Sequence, residues 1–171
     1  AISKMNYQDC VIYLLDENSD KLIQRSAFGP KASGLHKIEN PFIIEKGRGI
    51  VGSVFETGIG EIIKDTRKDK RYIQDDAFRL SEITIPILLN GETIGVIDSE
   101  HADVGFFTSM DFDILTTIAS MISVKIEKVK ESEKYKADLE KAVELKTKKL
   151  EEANQILKVK NHEKEVLIKE I

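Results

Sequence analysis

Cysteine occurs once in the 171 residues, at Cys10, tryptophan is absent, and proline appears three times. A single cysteine excludes an intrachain disulfide or a cysteine-rich metal site, and a reducing, cytoplasmic setting is the simpler expectation. No apolar run reaches the ~20 residues that a membrane helix needs, and no signal-peptide pattern opens the chain, so membrane contact is not expected of this stretch. Positive charge is also in short supply: Asp and Glu number 30 against 26 Lys and Arg, for a net charge of −4. With opposite charges interleaved, nucleic acid is not an expected partner. His36, His101 and His162 stand far apart without spaced companions, which argues against a metal. No nucleophile elbow, kinase loop or P-loop appears, so the chain is expected to perform no catalysis of its own.

What is present is organised around residues 82–101, EITIPILLNGETIGVIDSEH. Asn90-Gly91 meets the demand of a two-residue type I′ turn for φ > 0 at both central positions, which predicts a β-hairpin. Counting outward from the turn places Ile87 opposite Ile94 and Ile85 opposite Val96, with Ile85 and Val96 deeply buried. Two strands are marginal alone, so a larger sheet is implied. Cys10 to Leu15 (CVIYLL), the other strongly apolar strand, is expected beside Ile94 to Ser99 at the sheet centre. Lys21 to Phe28 reads as a returning edge strand, and Phe42 to Glu45 and Glu61 to Lys64 as short strands. Ala1 to Gln8 reads as the end of a helix.

Gly47, Gly49 and Gly52 satisfy G-x-G-x-x-G, but no further βαβ unit follows, so the glycines are read as a tight strand-to-helix turn into Gly49 to Thr57. Arg67, Lys68, Lys70 and Arg71 are hemmed in by Asp65, Asp69, Asp75 and Asp76, the composition of a solvated loop. His101, beside Asp98 and Glu100, suggests a charge-assisted surface contact. After Thr108, a candidate N-cap with Asp111 three residues on, a helix begins without a stop signal. Leu115, Ile118, Ile122, Val129, Leu139, Val143, Leu150, Leu157, Leu167 and Ile171 keep a 3-4 spacing over roughly 60 residues, a span of about 90 Å. Two units follow from the composition: 1–124, globular, and 125–171, a coiled-coil signalling helix.

The passage EKGRGIVGSVFETGIGEIIKDTRKDKRY, together with SEITIPILLNGETIGVIDSEH and FFTSMDFDILTTIA, resembles the GAF domain, a small-molecule-sensing module of signalling proteins. The resemblance implies an α+β fold, GAF-like and PAS-related: an antiparallel sheet flanked by helices, a ligand chamber under loops, and here a long C-terminal coiled-coil helix. Glu100-His101-Ala102 stands where cyclic-nucleotide-binding members carry an Asn-Lys pair. Members that bind bilins or reduce methionine sulfoxide use cysteines that a chain with Cys10 alone does not supply. No cofactor is specified.

From the family topology and side-chain type, Ile44, Phe55, Phe78 and Ile85 are expected to line the chamber, with Ser81 and Thr84 as polar contacts to a small-molecule ligand. NHEKEVLIKEI, residues 161–171, resembles the segment that leads into the phosphoacceptor box of sensor histidine kinases. The expectation is therefore a fragment of a longer protein: a regulatory sensor module of a two-component histidine kinase, a homodimer through the Leu115–Ile171 helix. The alternatives are a purely structural dimerisation module, its chamber filled by Phe42, Phe55 and Phe78, or a sensor for a cyclase or phosphatase output.

Overall fold

The computed structural model describes residues 6–32, 41–74 and 77–169. Two strands open the chain, β1 (Cys10–Asp16) and β2 (Lys21–Phe28), joined by a turn in which Asp16 Oδ2 accepts from the Ser19 amide and hydroxyl at 3.0 and 2.7 Å. There follow β3 (Ile43–Glu45), α1 (Gly49–Thr57), β4 (Glu61–Ile63), the hairpin β5 (Ser81–Leu89) and β6 (Glu92–His101), and α2 (Ser109–Lys169). The six strands form one antiparallel sheet in the order β3-β2-β1-β6-β5-β4. β1 and β6 lie together at its centre, as their apolar character predicts. Asn6 to Gln8 are not helical; residues 1–5, 33–40 with His36, Asp75 and Asp76, and Glu170 and Ile171, where the expected helix was to end, lie outside the described residues.

The hairpin turn has the expected form, with Asn90 at φ 53° and Gly91 at φ 86°. Its register does not follow the simple count. A bulge between Ile87 and Leu88 leaves Ile94 without an opposite number, so Ile87 pairs with Gly95, Pro86 with Val96 and Ile85 with Ile97. One extra residue sends every side chain beyond it to the other face of its strand. Ile85 and Val96 are both buried, at 1% and 0% exposure, but in different cores.

Those two cores lie on opposite faces of the sheet. On one, Cys10, Ile83, Ile85, Ile87 and Ile97 pack with Tyr7, Phe107, Leu115 and Ala119. Thr108 and Asp111 cap α2 there, with the Thr108 amide and hydroxyl 2.8 and 2.7 Å from Asp111 Oδ2, and Tyr7 donates to Asp111 Oδ1 at 2.8 Å. On the other face, Val11, Tyr13, Leu22 and Val96 meet Ile44 and the α1 residues Ile50, Val51, Val54 and Phe55. The glycines serve the turn into α1. Gly49 has φ 72° and lies under Ile73, while a Cβ on Gly52 would come within 2.6 Å of the Glu45 carbonyl.

The chain divides into two compact units at Ile126/Glu127. In the first, the opening turns of α2 are part of the core. Leu115 is fully buried and Ile118 and Ile122 pack beside it. In the second, Val129, Leu139, Val143, Leu150 and Leu157 are exposed on the helix. The expected 3-4 seam is therefore used in two ways, its first three positions holding the sheet.

Replacing Ile85 or Val96 by Ala should each cost about 2–5 kcal/mol in urea denaturation, because both side chains are buried among core neighbours that cannot fully close the space left. A loss below ~1 kcal/mol at Val96 would mean that α1 does not seal its face of the sheet.

Candidate functional site

Along β5 and β6 the side chains alternate between faces, so Ile83, Ile85 and Ile87 fill the α2 side while Glu82 and Thr84 turn to the α1 side. Glu82 pairs with Glu100 and Thr84 with Asp98 across the strands. Three carboxyl groups thus meet on a central, covered part of the sheet, at 4%, 4% and 3% exposure for Glu82, Asp98 and Glu100. All three line a cavity of about 110 Å³. Its other walls are Tyr13 from β1, Phe42, Ile43 and Ile44 from β3 and the residues before it, Arg48 and the first turn of α1 (Gly49, Ile50, Val51), and Ile73. Phe42 and Ile43 are exposed, so the cavity is apolar at its rim and acidic where Glu82, Asp98 and Glu100 line it.

Like charges in a dry site are held apart by protons and counter-ions. Thr84 Oγ1 bridges two of the acids, 2.9 Å from Asp98 Oδ1 and 3.2 Å from Glu82 Oε1. Burial, and then the charges of Asp98 and Glu100, push the Glu82 carboxyl well above the usual range. Asp98 is raised to about 6, chiefly by burial, with Lys31 pulling against the rise. Of the two neighbouring acids, Glu82 is thus pushed toward its protonated form by burial and by the charges of Asp98 and Glu100. Beside them Lys31 Nζ reaches Glu100 Oε2 at 2.5 Å and Asp9 Oδ2 at 3.3 Å, with its side chain 6% exposed. Asp9, fully buried, accepts from the Glu100 amide at 2.7 Å, and Arg79 Nε stands 4.0 Å from its Oδ2. Burial raises the Asp9 carboxyl, against the pull of Lys31. Among the described residues, four carboxyl groups thus face the two cations Lys31 and Arg79, an excess of acid over base.

Arg71 fixes one wall. Its guanidinium donates to both Glu61 carboxylate oxygens at 2.9 and 2.6 Å, to Asp69 Oδ2 at 2.8 Å and to Ser53 Oγ at 2.9 Å, tying β4 and α1 to the segment that carries Ile73. The basic cluster read as a solvated loop is, at this residue, a half-buried clamp. His101 is likewise not a surface contact: it is buried, stacks on Phe106 at 3.6 Å and 9°, and its Nδ1 accepts from the Asp103 amide at 3.0 Å. Burial lowers its affinity for a proton. Among the described residues no group of three His, Cys, Asp or Glu side chains is arranged to hold a metal ion.

Of the six residues singled out in the sequence, Ile44 lines this cavity, and Thr84 does not line it but hydrogen-bonds two of the acids that do. Phe55 belongs to the core behind it. Phe78 does not line it; it is 49% exposed and packs edge-on against Tyr72. The Ser81 hydroxyl is committed to the Asp103 carbonyl at 2.7 Å. Ile85 lies on the opposite face, where it borders a second, apolar cavity of about 230 Å³ with Pro86, Leu88, Phe112 and Ala119. Thr84 and Ile85 are neighbours on one strand and face opposite sides of the sheet, so both could not serve one cavity. Glu82, Asp98, Glu100 and Arg48 were missed. The available signal was three acids on two strands whose neighbours are almost wholly apolar.

A GAF-domain family model matches residues 1–127. Free methionine-R-sulfoxide reductase of Saccharomyces cerevisiae is 34% identical over 82 residues, 47% of this chain and 46% of that protein. The chain spans about half the length of the curated relatives it matches. Among solved structures, the GAF domain of an Acinetobacter phosphoenolpyruvate-protein phosphotransferase superposes with TM-score 0.67 at 18% identity, covering 76% of this chain and 77% of that one. Free methionine-R-sulfoxide reductase of Neisseria meningitidis, in complex with its substrate, superposes with TM-score 0.67 at 24% identity, covering 77% and 74%. Enzymes stand among these relatives, which overturns the expectation that the absence of a familiar motif excludes catalysis. A histidine-kinase connection is not shown by these comparisons. The match over residues 1–127 and the six-stranded antiparallel sheet agree, and the chain belongs to the GAF domain family.

Proposed function

We propose that the cavity under α1 binds a small zwitterion, an α-amino acid or close derivative with an apolar side chain. The observation that carries this reading is the buried Glu82–Asp98–Glu100 floor facing the first turn of α1 and Arg48. A protonated amine supplies the positive charge that the floor lacks. Arg48 and the helix N-terminus, the positive end of the α1 dipole, suit a carboxylate on the other side. Tyr13, Ile44, Ile50, Val51 and Ile73 offer apolar contact between those two poles. The names of two relatives point the same way, since free methionine sulfoxide is such a zwitterion.

Cys10 belongs to the core on the opposite face and its thiol is pushed up to about 12, mainly by burial. The geometry therefore supports binding in the cavity on grounds independent of thiol chemistry. Whether a bound sulfoxide is also reduced is read in the same tubes, as methionine formed in the presence of a dithiol.

Thermal-shift and calorimetric titration with L-methionine, L-methionine sulfoxide and their N-acetyl forms tests the reading. The free amines should bind and the acetylated forms, which lack the positive charge, should not. Equal binding of both, or of neither, contradicts it. Asp98→Asn should weaken the free amines by about tenfold or more, the scale of one lost charge contact. The pH dependence follows from the raised carboxyl: an ammonium binds the ionised form, so affinity should fall as pH drops through about 6.

Stability without ligand should run in the opposite sense. Asp98 binds its proton more tightly folded than unfolded, so its contribution is complete below the unfolded value near 4 and is lost as pH rises through about 6. The melting temperature of the free protein should decline across that window, and Asp98→Asn should flatten the decline.

We further propose that the chain is a regulatory sensor module that relays its state through a dimeric α2. With Leu115 in the core, the surface left for a second copy starts at Val129, and Val143, Leu150 and Leu157 recur on it at seven-residue intervals. Parallel pairing of two identical helices along that line brings these residues together. Sedimentation should show a dimer at micromolar concentration that Leu150→Lys dissociates; a wild-type monomer rejects the pairing.

A further inference from the structure

We infer that Lys31 sets the charge selectivity of the cavity, admitting a ligand with one positive charge and excluding one with two. This rests on the amino-acid reading above and names the side chain that tunes it.

The inference starts from where the Lys31 ammonium lies. Its side chain is 6% exposed and sits behind the cavity floor, against Glu100 at 2.5 Å and Asp9 at 3.3 Å. Glu100 faces both ways, lining the cavity and holding Lys31. Lys31 is thus a built-in ammonium on the same carboxyl cluster that a ligand amine would use. With it in place the described residues set two cations, Lys31 and Arg79, against the carboxyls of Asp9, Glu82, Asp98 and Glu100, and burial pushes Glu82 toward its neutral form. One ligand ammonium, facing Asp98, brings the remaining charge close to balance. A second would meet the Lys31 charge across Glu100 and be repelled in a site of low effective dielectric.

Removing the Lys31 charge inverts that logic. The Asp9 and Glu100 carboxyls then lack their nearest counter-ion, and the space that the lysine head occupied adjoins the cavity floor. A ligand with a second ammonium a few bonds from the first can occupy it. Other groups packed around the cluster remain as they were: Arg79 on Asp9, the Tyr72 hydroxyl, which interacts with Glu100, and Thr84 between Glu82 and Asp98. Selectivity between one and two charges is therefore assigned to one residue rather than to the cavity's shape.

The test compares two probes of similar size by calorimetry at pH 7.5: L-norvaline, with one ammonium, and L-2,4-diaminobutyrate, with two. The wild-type protein should favour norvaline by about tenfold or more, the ratio of a repulsive contact of roughly 1.4 kcal/mol. Lys31→Met should reverse the order, and Lys31→Arg, which keeps the charge, should preserve it. If the methionine variant does not fold, Lys31→Gln, which can still hydrogen-bond Glu100, takes its place. An unchanged order in a folded neutral variant overturns the inference. A second reading needs no ligand: the carboxyl carbon of Asp98, followed by NMR, should titrate higher by about one pH unit or more in the neutral variant than in wild type. An unmoved midpoint also overturns the role of Lys31. If wild type binds neither probe while the Asp98 midpoint does move, the amino-acid reading fails and the electrostatic control by Lys31 stands.

Discussion

Two neighbouring strands of a sheet covered on both faces, β5 and the central β6, carry carboxyl groups where a strand ordinarily carries valine or isoleucine. Glu82, Asp98 and Glu100 point to the α1 side, and Asp9, at the head of β1, joins them through the Glu100 amide. Desolvating that many acids is costly, and among the described residues they outnumber the cations that face them. Their needs account for much of the surrounding construction. Lys31 and Arg79 are drawn inward, Thr84 bridges two of the acids, and burial pushes Glu82 toward its neutral form. A cluster that is stable yet still short of positive charge is a standing invitation to a cation of the right size.

The sheet makes this arrangement tolerable by separating its two faces. The α2 side holds an unbroken apolar core with Ile83, Ile85, Ile87, Ile97 and Leu115, all essentially without exposure. Most of the sheet's stability is housed there, away from the acids. The α1 side combines a smaller core with the cavity, and the clamp on Arg71 holds its wall without adding apolar burial. The bulge after Ile87 shifts the turn end of the hairpin relative to the end that carries Glu82 and Glu100.

Much of this was legible in the sequence and one part was not. Asn90-Gly91 declared its turn because φ > 0 has few solutions, and the apolar density of Cys10 to Leu15 and Ile94 to Ser99 placed those strands side by side at the centre. The bulge left no such mark, since the residue it adds, Ile94, is as apolar as its neighbours. Counting through it paired Ile85 with Val96, which lies in the other core. The acids were overlooked for a different reason. In a strand, E-x-T alternating with isoleucine reads as a solvent face, and only knowledge of what covers that face turns it into a buried site. His101 misled in the same way, its burial depending on Phe106, five residues on and across a turn. Local pattern reports alternation; it does not report what lies opposite.

The central claim is that a buried, charge-deficient carboxyl cluster awaits an ammonium. It is tested most directly by the titration of Asp98 itself, through its carboxyl carbon shift, in the free protein and with saturating L-methionine. The account predicts a midpoint at about 6 in the free protein, displaced downward when the amine is bound. A midpoint in the ordinary range near 4, unmoved by the amino acid, would contradict it.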